Sequence, residues 1–368
     1  MAQRTPSKRN TAGTAPRPEG CLPAGRGFRP LEYALCAALT ALTLLLCVGV
    51  GSVSLPVGQS ARTLFAGLLH LLGLGPAPEG QQAAILLSVR LPRVLCVGLT
   101  GASLSLAGAA MQGLLKNPLA DGSTLGVSSG ASLGAVVAIV FGITIPSLPF
   151  AGTMVMAMLF AFVSLAAILA LAYRLDYSLS TNTIILIGVI YSMFASSIIS
   201  FLTTFAGERV KQITFWTMGS LAGSSYENAL VLLAALLACG AVILAHTREL
   251  NAFAVGEENA RHIGVDVRRV KLVIMVAVSA LIGVSVSIGG TIGFVGLVTP
   301  HMARMLVGPN HRRLLPAALF FGAVFLMLAD LAARVALSPL ELPIGVVTSF
   351  IGAILFVYIF YRSRRAQR

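Results

Sequence analysis

Ten long apolar runs recur along this chain of 368 residues, and they leave it few ways to fold. Each reaches or approaches the roughly 20 residues that carry a helix across a hydrocarbon layer. The runs cover 31–53, 91–115, 124–143, 149–173, 183–205, 226–246, 270–290, 291–307, 314–337 and 342–361. A bilayer offers backbone N–H and C=O groups no water, so runs of this kind span it as helices bonded internally. The expected fold class is therefore an all-α integral membrane protein with about ten transmembrane helices. The run 291–307 is the weakest, being short and broken by Pro300. The stretch 60–74, with Arg62 and His70, is amphipathic and belongs in a loop or on the membrane surface. Charged residues make up 11% of the chain, against about a quarter in soluble domains.

Residues 1–30 are rich in Pro, Gly, Ser, Thr and Arg. That composition predicts a disordered basic tail. The run after it is long enough to span, which favours an uncleaved first helix over a signal peptide. Residues 31–362 then form the transmembrane domain. The net charge of +13 could suggest a nucleic-acid partner. Its Lys and Arg sit in short clusters between apolar runs and build no basic face, so they are better explained by topology. With the N-terminus inside, Arg62, Arg90, Arg93, Arg209, Lys211 and Arg334 fall outside, and the other 20 of the 26 Lys and Arg fall inside. This asymmetry supports an even number of spans with both termini cytoplasmic.

Few side chains bring chemistry. The five cysteines form no CxxC pair, and they read as small packing residues. Gly126-Val127-Ser128-Ser129-Gly130 matches G-x-S-x-G. A nucleophile elbow needs a strand before its helix, whereas these glycines belong to a stripe of small residues, Gly126, Gly130, Gly134, Ala138 and Gly142. A second stripe holds Gly101, Ser105, Ala109 and Gly113. Such stripes let helix backbones approach closely. No H-E-x-x-H and no Gly-Lys phosphate-loop pair occurs. No catalytic or metal-ligating set emerges, and any ATP site must come from another subunit.

Ionisable residues inside spans are rare here. Asp330 and Arg334 lie one helical turn apart and can pair. The scarcity of mid-membrane acids argues against an ion-coupled secondary transporter, which remains the alternative function. Arg90 and Arg93 break the positive-inside trend and read as exposed outer arginines suited to the carboxylates of a soluble partner. The inner loop 249–268 is densely charged, and Glu257 to Ile263 reads as a short polar helix stopped by Gly264. Such a helix at the inner surface suits docking to a cytoplasmic protein.

Several strings together resemble the FecCD-type permeases, the membrane subunits of ABC importers for iron-siderophores, haem and cobalamin. They are RLPRVLCVGLTGASLSLAGAAMQGLLKNPLADGSTLGVSSGASLGA, GGTIGFVGLVTPHMARMLVGPNHRRLLP, DLAARVALSPLELPIGVVTSFIGA and FAVGEENARHIGVD. The resemblance covers about residues 60–362 and implies the inverted-repeat, type II importer architecture. It implies a second permease subunit (a homodimer is expected), two ATP-binding subunits and a periplasmic or lipid-anchored substrate-binding protein. The place is the bacterial inner membrane. No cofactor is expected on this chain, and ATP-Mg belongs to the partner. By resemblance, Arg90, Arg93 and Arg334 meet acidic residues of the binding protein. Asn117 and Leu119 match a cytoplasmic gate. Gly256, Glu257, Glu258, Ala260, Arg261 and Gly264 match the loop that seats in the ATPase. The implied cargo is a ferric chelate, iron-siderophore first, with haem and cobalamin behind it. Thr299 departs from the family pattern, standing where an apolar residue is expected.

Overall fold

The computed structural model describes residues 27–51, 57–71, 73–76, 78–122, 125–145, 151–177 and 179–365. The tail expected over 1–30 falls almost wholly outside these residues. The first helix is α1 (Pro30–Gly49), and the amphipathic stretch follows as α2 (Val57–Leu71). A short α3 (Gln81–Ala84) runs through a π-helical segment, Ile85–Arg90, into α4 (Leu91–Leu114). Pro92 has no N–H to donate, and the wider winding lies immediately before it. Together they form one apolar helix of 34 residues, Gln81–Leu114.

Next come α5 (Val127–Phe141), α6 (Ala151–Leu175), α7 (Thr181–Thr204), α8 (Val210–Thr217) and α9 (Tyr226–Ala245). Two short helices, α10 (Thr247–Val255) and α11 (Glu257–His262), precede α12 (Val267–Gly289). The chain ends in α13 (Val295–Val307), α14 (His311–Val335) and α15 (Ile344–Arg365). Among the described residues seven helices are long and apolar enough to cross a membrane, and α5 and the apolar part of α15 are shorter. With α13 these account for all ten runs expected from the sequence. The helix α10 is an addition to the expected loop. Leu250 and Phe253 are fully buried, and they give this otherwise polar segment an apolar face.

The packing is pseudo-symmetric. Exchanging α4, α5, α6 and α7 for α12, α13, α14 and α15 maps one set of helix contacts onto another. Thus α4 packs on α13 and α14 as α12 packs on α5 and α6, and α4 also meets α12 directly. The pairs α5–α6 and α6–α7 correspond to α13–α14 and α14–α15. One further span, α9, lies between the two sets in sequence and touches both α4 and α12. An odd number of spans from each helix to its counterpart inverts the second set, the arrangement common in transporters. The local geometry repeats as well. Both α5 and α13 start from a left-handed residue, Gly126 (φ 69°) and Phe294 (φ 67°).

The small residues decide how close these helices come. A β-carbon built on Gly101 would lie 2.3 Å from the Gly322 carbonyl oxygen of α14. One on Gly108 would lie 1.9 Å from the Gly296 oxygen of α13. The other stripe faces α6: a β-carbon on Gly134 would lie 2.3 Å from the Met156 oxygen. Ser105 donates to the Ala318 carbonyl at 2.6 Å, and its hydroxyl is 2.7 Å from that of Thr299. Thr299 is therefore used as a polar bond between α4 and α13 where an aliphatic side chain was expected.

Candidate functional site: two polar ends and a cavity

At one end of the bundle the C-terminus of α1 meets the start of α4 and the end of α14. The last carbonyls of a helix have no partner within it and carry its negative dipole. Two arginines meet that need here. Arg90 Nη1 donates to Val48 O and Gly49 O, both at 3.1 Å. Arg334 donates to Cys47 O at 2.9 Å and Val50 O at 3.3 Å. Beside them Asp330 holds two guanidiniums. Arg93 bonds Asp330 Oδ1 through Nε (3.1 Å) and Nη2 (2.9 Å), and Arg334 Nε lies 2.9 Å from Oδ2. Arg93 Nη1 also donates to Glu341 Oε2 at 2.7 Å.

The pairing of Asp330 with Arg334 across one turn is as the sequence predicts. The exposure expected of Arg90 and Arg93 is not. Arg90, Arg93 and Arg334 are only 6%, 8% and 3% exposed, because α1 and the α14–α15 connection close over them. Glu341, at 35% side-chain exposure, is the accessible member of the cluster. Sequence reasoning missed it because its partner, Arg93, lies 248 residues away in the chain.

The opposite end gathers the residues matched to a gate and to a coupling loop. Lys116 (φ 50°) ends α4 in the left-handed region. Asn117 then turns the chain, its Oδ1 accepting from Leu119 N at 2.9 Å and its carbonyl from Ala120 N at 3.0 Å. Leu119 is half exposed. Gly256 (φ 146°) separates α10 from α11, and Gly264 (φ 87°) stops α11 as expected. Glu257 and Glu258 lie in the first turn of α11 and Arg261 in its last, the charge order a helix dipole favours. Ala260 is buried. The cluster is anchored on α14, where Asn251 Oδ1 lies 2.9 Å from both His311 N and His311 Nδ1. Arg313 pairs with Glu32 at the start of α1.

Between the two ends is a cavity of about 220 Å³ where the starts of α5 and α13 converge on α4 and α12. Asp121, Ser128, Ser129, Ser132 and Thr291 give it polar walls, and Phe294 an apolar one. Ser128 lies within helix α5, so it has no strand-to-helix elbow.

A profile of the FecCD transport family matches residues 39–362. This chain belongs to that family. It is a multi-pass permease subunit of an ABC importer. Among relatives it is 39% identical to "Uncharacterized ABC transporter permease protein YvrB" of Bacillus subtilis, over 93% of this chain and 97% of that protein. It is 39% identical to the cobalamin import system permease BtuC of Halobacterium salinarum, over 77% and 74%. It is 36% identical to the molybdate import system permease MolB of Haemophilus influenzae, over 89% and 94%. The solved structure of an ABC transporter described as metal-chelate type, inward-facing, superposes with a TM-score of 0.79 at 33% identity. That match covers 91% of this chain and all of the other. A FecCD permease works with ATP-binding subunits, and with a partner permease or a substrate-binding protein.

Proposed function

We propose that this permease moves a ferric chelate across the bacterial inner membrane, an iron-siderophore before haem or cobalamin. The observation that carries this is the overall likeness to the metal-chelate type transporter. Pockets for drug-sized ligands span about 300–1,000 Å³, so one subunit's 220 Å³ cavity is too small for a bulky chelate. Two copies facing each other would supply the rest, which favours a homodimer. The orientation follows the charge asymmetry, with both termini, the Asn117–Leu119 turn and α11 on the cytoplasmic side. Energy comes from ATP-Mg on the partner, and this chain has no nucleotide site of its own.

Uptake into vesicles holding the permease, its ATP-binding subunit and ATP is expected for a ferric chelate. Uptake of molybdate alone, or uptake driven by an ion gradient without ATP, refutes the reading. Purified permease by itself should hydrolyse no ATP.

Arg93 already holds Glu341, so an incoming carboxylate of the binding protein must compete with that half-exposed side chain. Glu341→Gln is therefore expected to tighten docking up to about fivefold, the worth of a surface ion pair of up to about 1 kcal/mol. Unchanged affinity across salt concentrations would count against docking at Arg93.

A further inference from the structure

Near the cytoplasmic end of α12 lies a charge that the two clusters above do not use. Lys271 has no exposed surface at all. Its Nζ lies 2.7 Å from Glu257 Oε1 and donates to the Leu179 carbonyl at 2.9 Å. Thr181, at the start of α7, donates to the same Glu257 oxygen at 3.3 Å. Leu179 is itself fully buried, and its left-handed backbone (φ 53°) sets the α6–α7 connection against Lys271. Three separate segments thus converge on one ammonium group: the first residue of α11, the second turn of α12 and the entry to α7.

A buried ion pair is weak support for stability, since an apolar side chain of the same size often serves as well. What such a pair adds is a fixed geometry that is costly to break. Glu257 is the one carboxylate paired with Lys271 among the described residues. If α11 moves and α12 stays, the ammonium is left buried without its counter-charge. Moving the two together avoids that cost. The consequence reaches the cavity, because α12 packs on α4, α5, α6 and α9 and contributes Ile282 and Val286 to the cavity wall.

We propose that Lys271 is a positioning residue for energy coupling. Its pair with Glu257 makes α11, α12 and the start of α7 a single lever between the ATP-binding subunit and the cavity. This rests on the reading of α11 as the contact with that subunit. Lys116, just before the Asn117–Leu119 turn, also comes near this region, its Nζ lying 3.8 Å from a β-carbon built on Gly256.

The test uses the permease reconstituted with its ATP-binding subunit, free of native cysteines and carrying Ser129→Cys in the cavity. Lys271→Gln removes the charge yet keeps a donor for Leu179. It is expected to bind the ATP-binding subunit and hydrolyse ATP as the parent does. The ATP-dependent change in labelling of the introduced thiol by a thiol reagent should shrink about tenfold, as for loss of a typical coupling between sites. Lys271→Arg, which keeps charge and donors, should recover most of it. If Lys271→Gln labels like the parent, or if the parent shows no ATP-dependent labelling, the lever is overturned. Should Lys271→Gln fail to fold, Lys271→Met with Glu257→Gln removes both charges and is judged by the same readout. Failure of the parent to bind the ATP-binding subunit at all would instead overturn the reading of α11.

Discussion

Asp330→Asn lowers the stability of the folded permease by about 3–5 kcal/mol, the usual cost of removing one partner from a buried ion pair. Asp330 is 1% exposed and lies between Arg93 and Arg334. Without its charge, two buried guanidiniums face each other, and only Arg93 keeps a carboxylate, Glu341. The loss should spread to α1, because Arg334 also caps the Cys47 and Val50 carbonyls. Thermal unfolding in detergent measures the first effect, and proteolysis near residues 47–51 measures the second. A variant that melts within about 0.5 kcal/mol of the parent, the range of an ordinary surface change, would show that the cluster is not an integral part of the fold. Arg334→Met is expected to be milder, since it leaves Asp330 paired with Arg93.

Gly108→Val should be the most damaging single substitution in the bundle. Overpacking a tight core costs about 1–3 kcal/mol and at times more. Here the obstacle is backbone, which cannot rotate away: the Gly296 oxygen would lie 1.9 Å from the new β-carbon. On its other faces α4 is held by α14 and α12, so it cannot retreat. The expected outcome is a loss of about 3 kcal/mol or more, seen as aggregation on solubilisation and a collapsed melting transition. Gly98→Ala is the control. The nearest atom to its β-carbon is the flexible end of Met327, at 3.4 Å, and that variant should behave like the parent. Equal behaviour of the two variants would show that the α4–α13 approach is not limiting.

The two glycines also show how far the sequence could be read. Gly101, Ser105 and Gly113 recur every fourth residue, so a close approach along one face of α4 was legible, and that face meets α14. Gly108 lies off that stripe. Its need for a missing side chain arises only because α13, nearly two hundred residues later, crosses there. Arg90, Arg93 and Arg334 tell a similar story. Their position at one end of the bundle followed from charge placement, but their burial did not. Helix α1 and the loop holding Glu341 cover them, and nothing local to Arg90 and Arg93 encodes that cover. Lys271, at the start of the apolar run 270–290, counted as one more inner cation, and only the fold shows that it is buried against Leu179 and Glu257.

Run length, charge asymmetry and small-residue spacing determined the helical membrane class and the ten apolar runs, and the dense charge before Gly264 marked the short polar helix at Glu257. These are properties of single helices in a bilayer, set by residues within a few turns of one another. The long ordered motifs added the family. Tertiary structure alone decided which faces meet, which arginines are covered and which carboxylate each cation finds. Those outcomes depend on pairs such as Arg93 with Asp330 and Lys271 with Glu257, in which each partner is costly to bury alone and acceptable only once the fold has brought the other to it.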